Sequence, residues 1–94
     1  MRDDKKKEVW SKAHELCVRV YGKVVVCFPQ EERFGLVAQI IRASYSVPLN
    51  IVEGCGRNSD KDFVHFLDIS FGSVQELEWF ALLAFDLSFL NKEQ

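Results

Sequence analysis

The residues best suited to chemistry are a carboxylate–histidine pair, an isolated glutamate, a glycine-rich turn and three cysteines. Asp62 and His65 stand three residues apart, the spacing that builds di-metal sites in helical bundles. Such a site needs two of these units and two further carboxylates. His14 has Ser11 three residues before it, so the second unit is missing and no metal ligands are expected. Glu53 has the chemistry of a general base, but no nucleophile or second catalytic group accompanies it, so no catalytic residue is assigned. The turn GCGRNSD over 54–60 leads into a helix N-terminus, a place that attracts anions, and Arg57 adds positive charge. Asp60 would repel a phosphate there, and a glycine-closed turn between helices accounts for the same residues. Cys17, Cys27 and Cys55 make an odd count without CxxC spacing. On one helix Cys17 and Cys27 would lie about 15 Å apart along the axis, too far for a disulfide, so reduced thiols in the cytoplasm are expected. No cofactor and no small-molecule substrate follow from this set.

Charge is the other signal. The net charge is −2, which is not the footprint of a strong non-specific nucleic-acid binder. Its distribution is uneven: the balance is +3 up to Arg42 and −5 from Ala43 onward. A basic first helix beside an acidic third one accounts for this, and so does a head-to-tail contact between subunits. Lys5, Lys6, Lys7, Lys12, Arg19 and Lys23, with Arg2, are the candidate nucleic-acid contacts. One subunit offers only a modest patch, offset by Asp3, Asp4, Glu8 and Glu15. Repetition around an oligomer would make it count, because phosphate contacts sum over subunits.

The elements that carry these residues read as helices. With 94 residues the chain suits one domain, 1–94, and its 48% hydrophobic and 28% charged residues are ordinary for a globular protein. The segment MRDDKKKE is too charged for a signal peptide, and no run approaches ~20 apolar residues, so no membrane partner is expected. Val9, Ala13, Leu16, Cys17, Val20, Val24 and Phe28 follow a three-and-four spacing that predicts a helix over 6–28, closed by Pro29. Phe34, Val37, Ile40, Ile41, Ser44, Val47 and Ile51 predict a second over 31–54, with Glu31 and Glu32 at its positive end and a kink or boundary at Pro48. Asn50 and Glu53 are placed to satisfy backbone groups the proline frees, with Arg42 or Arg57 as charged partners of Glu53. A capping box at Ser59 and Asp62 opens a third helix, 59–89. That helix is apolar on nearly every side, so it needs partners on more than one face, with Phe71, Trp79 and Phe80 as the candidate interface. Short connections make the layout up-down-up, an all-α antiparallel bundle.

The stretches ERFGLVAQIIRASYSVPLNIVEG and GRNSDKDFVHFLDISFGSVQELE resemble the four-helix-bundle family of 23S rRNA intervening-sequence proteins, and the first helix is similar to that family's opening. Arg42, Ser46, Pro48, Asn50-Ile51, Glu53-Gly54 and Gly72-Ser73 with Glu76-Leu77-Glu78 carry the likeness, which runs from about Lys5 to Leu90. Arg42, Ser46, Pro48, Asn50, Glu53, Gly54 and Arg57 are expected to be structural. The resemblance implies an antiparallel bundle commonly assembled as a homopentameric ring, encoded in segments inserted in bacterial 23S rRNA genes or at ordinary loci. It implies no enzymatic activity. The accessory proteins of diversity-generating retroelements are similar in fold, and they bind nucleic acid and a reverse transcriptase.

Two departures stand out. Members usually continue past the equivalent of Leu90 into a fourth helix, which is not expected after the three long ones here. A groove is then left uncovered, and the chain is expected to be a fragment, a truncated member, or one that fills the groove by association. Ile41, Phe71 and Trp79 stand where polar or basic residues are expected, which favours protein contact over RNA. The expected function is therefore a non-enzymatic, self-associating scaffold, with an RNA-associated protein as the alternative.

Overall fold

The computed structural model describes residues 3–90, and among them every regular element is helical. α1 spans Asp3–Arg19. It continues without a break into a π-helical turn, Val20–Val24, and a 3-10 turn, Val25–Cys27. The rod thus reaches nearly the length expected for the first helix, but not as α-helix throughout. Gly22 and the β-branched run Val24-Val25-Val26 disfavour tight α geometry, and the wider turn falls there.

α2 spans Leu36–Cys55, beginning five residues later than the spacing predicts. Glu31 and Glu32 sit instead in a separate 3-10 turn, Gln30–Glu32. The dipole logic survives in part, because the Glu32 carboxylate accepts a hydrogen bond from the Leu36 N–H at 3.4 Å. Pro48 lies inside α2, which is no boundary.

α3 spans Asp60–Asp86, and the Ser59 hydroxyl caps it by accepting from the Asp62 N–H at 3.1 Å. Its C-terminus is a Schellman motif. Phe89 N–H donates to the Ala84 carbonyl at 2.8 Å and Ser88 N–H to the Phe85 carbonyl at 3.0 Å. Ser88 takes the left-handed conformation, φ 66°, that this reversal requires. The chain then doubles back, setting Phe89 against Phe28 and burying Leu90.

The three helices run up, down and up. At ~1.5 Å per residue α3 alone is about 40 Å long, which accounts for the 43 Å long axis of the molecule. α2 is the central element: both α1 and α3 pack on it, while α1 and α3 nowhere approach within 8 Å at Cα. Their side chains do meet over α2, where Ala13, Val47 and Ile51 form the core with Val9, Trp10, Leu67, Val74 and Leu77 around them.

Between α2 and α3 the packing is close and partly polar. Ser70 and Ser73 are buried there, while the equally buried Ser44 lies 3.7 Å from the Cys17 thiol of α1. Ser73 donates to the Ser46 hydroxyl at 2.9 Å, and the Asn50 amide reaches the Ser46 hydroxyl at 3.0 Å and its carbonyl at 2.8 Å. Ser70 donates to the Val47 carbonyl at 2.9 Å. Pro48 has no N–H to offer the Ser44 carbonyl one turn earlier. Asn50 does not replace that donor, since its side chain reaches back only one turn, to Ser46.

Ser70→Ala isolates one of these bonds. The Val47 carbonyl lies within α2 and keeps its helical environment, so only the extra bond is lost. A cost of about 0.5–1.5 kcal/mol is expected, read as a lower urea midpoint with an unchanged slope.

Candidate functional site

The residues read from the sequence as candidate contacts fall into two places on α1. Lys5, Lys12 and Arg19 recur every seven residues and therefore share one face. Glu8 lies between the first two, 3.4 Å from the Lys5 ammonium and 3.7 Å from that of Lys12. These pairs are solvent-exposed, and each contributes less than about 1 kcal/mol. Lys23 follows in the π-helical turn.

Lys6 and Lys7 turn elsewhere. The Lys6 ammonium sits 4.8 Å above the Phe63 ring, linking α1 to α3. Lys6 and Lys7 also border a shallow cleft with Trp10, Val52 and Cys55. Trp10 is stacked on His14, 5.1 Å between ring centroids and 18° from parallel. Arg2 lies outside the described residues.

Arg42, Glu53 and Arg57 form two exposed ion pairs. Arg42 of α2 reaches Glu76 of α3 at 2.7 Å, and Arg57 reaches Glu53 at 2.6 Å. The Arg57 guanidinium also lies 4.9 Å from the Phe66 ring centre. Arg57 is thus occupied at the glycine-rich turn that leads into α3. His65, exposed, sits edge-on to Phe66 at 5.4 Å. Among the described residues no three of His, Cys, Asp and Glu gather into a metal-ligating set. Cys27 directs its thiol to the Lys23 carbonyl at 3.2 Å, and Cys17 lies 3.7 Å from the Ser44 hydroxyl.

Gly54 has a plain steric role. A Cβ there would lie 3.0 Å from Phe66 Cβ and 3.1 Å from Phe63 Cδ2. The glycine is therefore what lets the end of α2 meet the start of α3.

The three aromatic residues of the candidate interface separate. Phe71 and Trp79 are 63% and 57% exposed, while Phe80 is half-buried. Eight residues on an α-helix turn the direction by about 80° and one more by about 100°, so the three point three ways. Phe71 instead shares a face with Val64, Leu82 and Phe85, all exposed. Ile41 is half-buried on α2.

An apolar groove of about 360 Å³ lies between α1 and α3. Leu16, Val20 and Val24 form one wall, Ile40 the floor, and Val74, Leu77 and Ala81 the other wall. Leu90 closes one part, and Arg19 and Glu78 stand on the α1 and α3 sides. Sequence periodicity could not locate it, because it exists only through the separation of α1 from α3 across α2.

Fold and surface together define an all-α antiparallel bundle whose prominent features are an apolar groove and exposed apolar helix faces. Among the described residues no helix is long and apolar enough to cross a membrane. Residues 5–94 match the profile of the 23S rRNA-intervening sequence protein family, and the chain belongs to that family. A comparison with curated proteins finds no match.

Proposed function

We propose that this protein is a non-enzymatic helical scaffold of the bacterial cytoplasm that works as a homo-oligomer, a ring of five as its family resemblance implies. The observation that supports this most is the face of α3 bearing Phe71, Leu82 and Phe85, which stays exposed along a helix already packed on α2. Burying apolar area is worth about 25 cal/mol per Å², so a face of three large side chains favours association when a complementary surface is available. The reading includes no cofactor, small-molecule substrate or membrane partner.

Light scattering coupled to size exclusion on residues 1–94 tests it. A discrete mass near five subunits is expected, and a monomer at micromolar concentration overturns it.

A second reading, an RNA-associated protein, draws on the seven-residue recurrence of Lys5, Lys12 and Arg19. Repeated in an oligomer, such a stripe gains by multivalency. It predicts a gel shift of structured rRNA that weakens steeply with salt, and the absence of a shift at low salt removes it.

A further inference from the structure

We infer that the groove between α1 and α3 is the seat of a second copy of this chain, with α3 of that copy as the docking element. This rests on the self-association reading and specifies its surface.

Shape comes first. The chain exposes 6537 Å², whereas a compact monomer of 10.9 kDa exposes about 5,600 Å². Its radius of gyration is 14.5 Å, against about 12 Å for a compact domain of this length. The surplus is several hundred Å², on the scale of the ~800 Å² that each partner gives to a standard interface.

Apolar continuity comes second. On α3 the groove wall formed by Val74 and Ala81 adjoins the exposed face of Phe71, Leu82 and Phe85. Groove and ridge therefore lie side by side on one helix, and each supplies what the other lacks.

Charge selects the partner. Arg19, at the α1 side, and Glu78, at the α3 side, make no ion pair among the described residues. An occupant must bring acid to Arg19, and α3 carries six acidic residues against one lysine. Lys12 and Lys5 extend the basic edge along α1. Glu78 stands seven residues from both Phe71 and Phe85 and so shares their face of α3, and docking that face brings Glu78 of one copy to Arg19 of the other.

The test compares solution masses of residues 1–94 and two sets of variants. Ala81→Glu places a charge in the groove at an exposed helical position that tolerates it. The expected result is at least a ten-fold weaker association with unchanged helicity by circular dichroism. Arg19→Glu or Glu78→Arg alone should weaken association similarly, and the double reversal should recover most of it. If Ala81→Glu loses helicity, the charge reversals decide. Assembly that ignores all of these changes overturns the groove as the seat while leaving self-association intact. A wild-type monomer overturns both, whether the groove stays open or another protein fills it.

Discussion

Phe63→Ala is expected to cost about 3–5 kcal/mol, the usual range for removing a fully buried aromatic ring. Against a total of about 5–14 kcal/mol for a chain of 94 residues, that loss brings the protein close to unfolding. Phe63 is 2% exposed and is the largest side chain so enclosed. Its position makes collapse of the cavity difficult, because three elements converge on it. Lys6 of α1 lies over the ring, Gly54 of α2 has only room for hydrogen beside it, and its own backbone belongs to the first turn of α3. Only ten hydrophobic residues are buried among those described, so no neighbouring cluster can compensate. The check is urea denaturation at fixed protein concentration, since an oligomer's stability depends on concentration. Phe63→Leu should lose far less. A loss below about 1.5 kcal/mol for the alanine variant would mean that the ring is not the anchor of this end.

The helices could be found from the sequence because their signals are local. Three-and-four spacing marks α1, α2 and α3, and the Ser59 cap falls where the side-chain pattern places it. What escaped depends on phase or on distance. The change to a wider turn at Val20 shifts the helical register after Arg19, and a β-branched run signals weak α propensity without saying which turn results. Glu31 and Glu32 carry the composition of a helix start, yet the backbone begins α2 at Leu36 and uses only the Glu32 side chain. Pro48 in a helix is compatible with a break or with continuation. Asn50, on α2 itself, donates to the Ser46 carbonyl, and Ser70 of α3 donates to the Val47 carbonyl; the second of these contacts is tertiary.

The candidate surface shows the same division. Composition alone groups Phe71, Trp79 and Phe80, whereas helical phase sets Phe71 with Leu82 and Phe85. Lys6 read as one more member of a basic patch, but it is engaged with Phe63 across the bundle. The groove had a sequence correlate in an α3 too apolar for one partner. Its lining, from Leu16 to Ala81, could be known only once α1 and α3 were placed.

Gly54→Ala and Gly72→Ala should shift stability in opposite directions, although both add one methyl to a helical glycine. Helix propensity alone favours alanine by about 1 kcal/mol at each site. At Gly72 the new Cβ meets nothing within 4 Å, so an isolated chain should gain about 0.5–1 kcal/mol. At Gly54 the methyl meets Phe66 Cβ at 3.0 Å, Phe63 Cδ2 at 3.1 Å and the Phe63 carbonyl at 3.4 Å. Two of those atoms are tied to the α3 backbone, and the third belongs to the enclosed ring. Relief therefore requires α2 and α3 to part. Overpacking of this kind costs about 1–3 kcal/mol, and a net loss of about 1–2 kcal/mol is expected once the propensity gain is subtracted. Thermal and urea midpoints of the two variants, measured at several protein concentrations, separate a contact within the chain from one between chains. A Gly54→Ala deficit that persists at every concentration locates the clash inside one subunit. A Gly72→Ala gain that turns into a loss as concentration rises would place a second copy against that stretch of α3, beyond the groove itself.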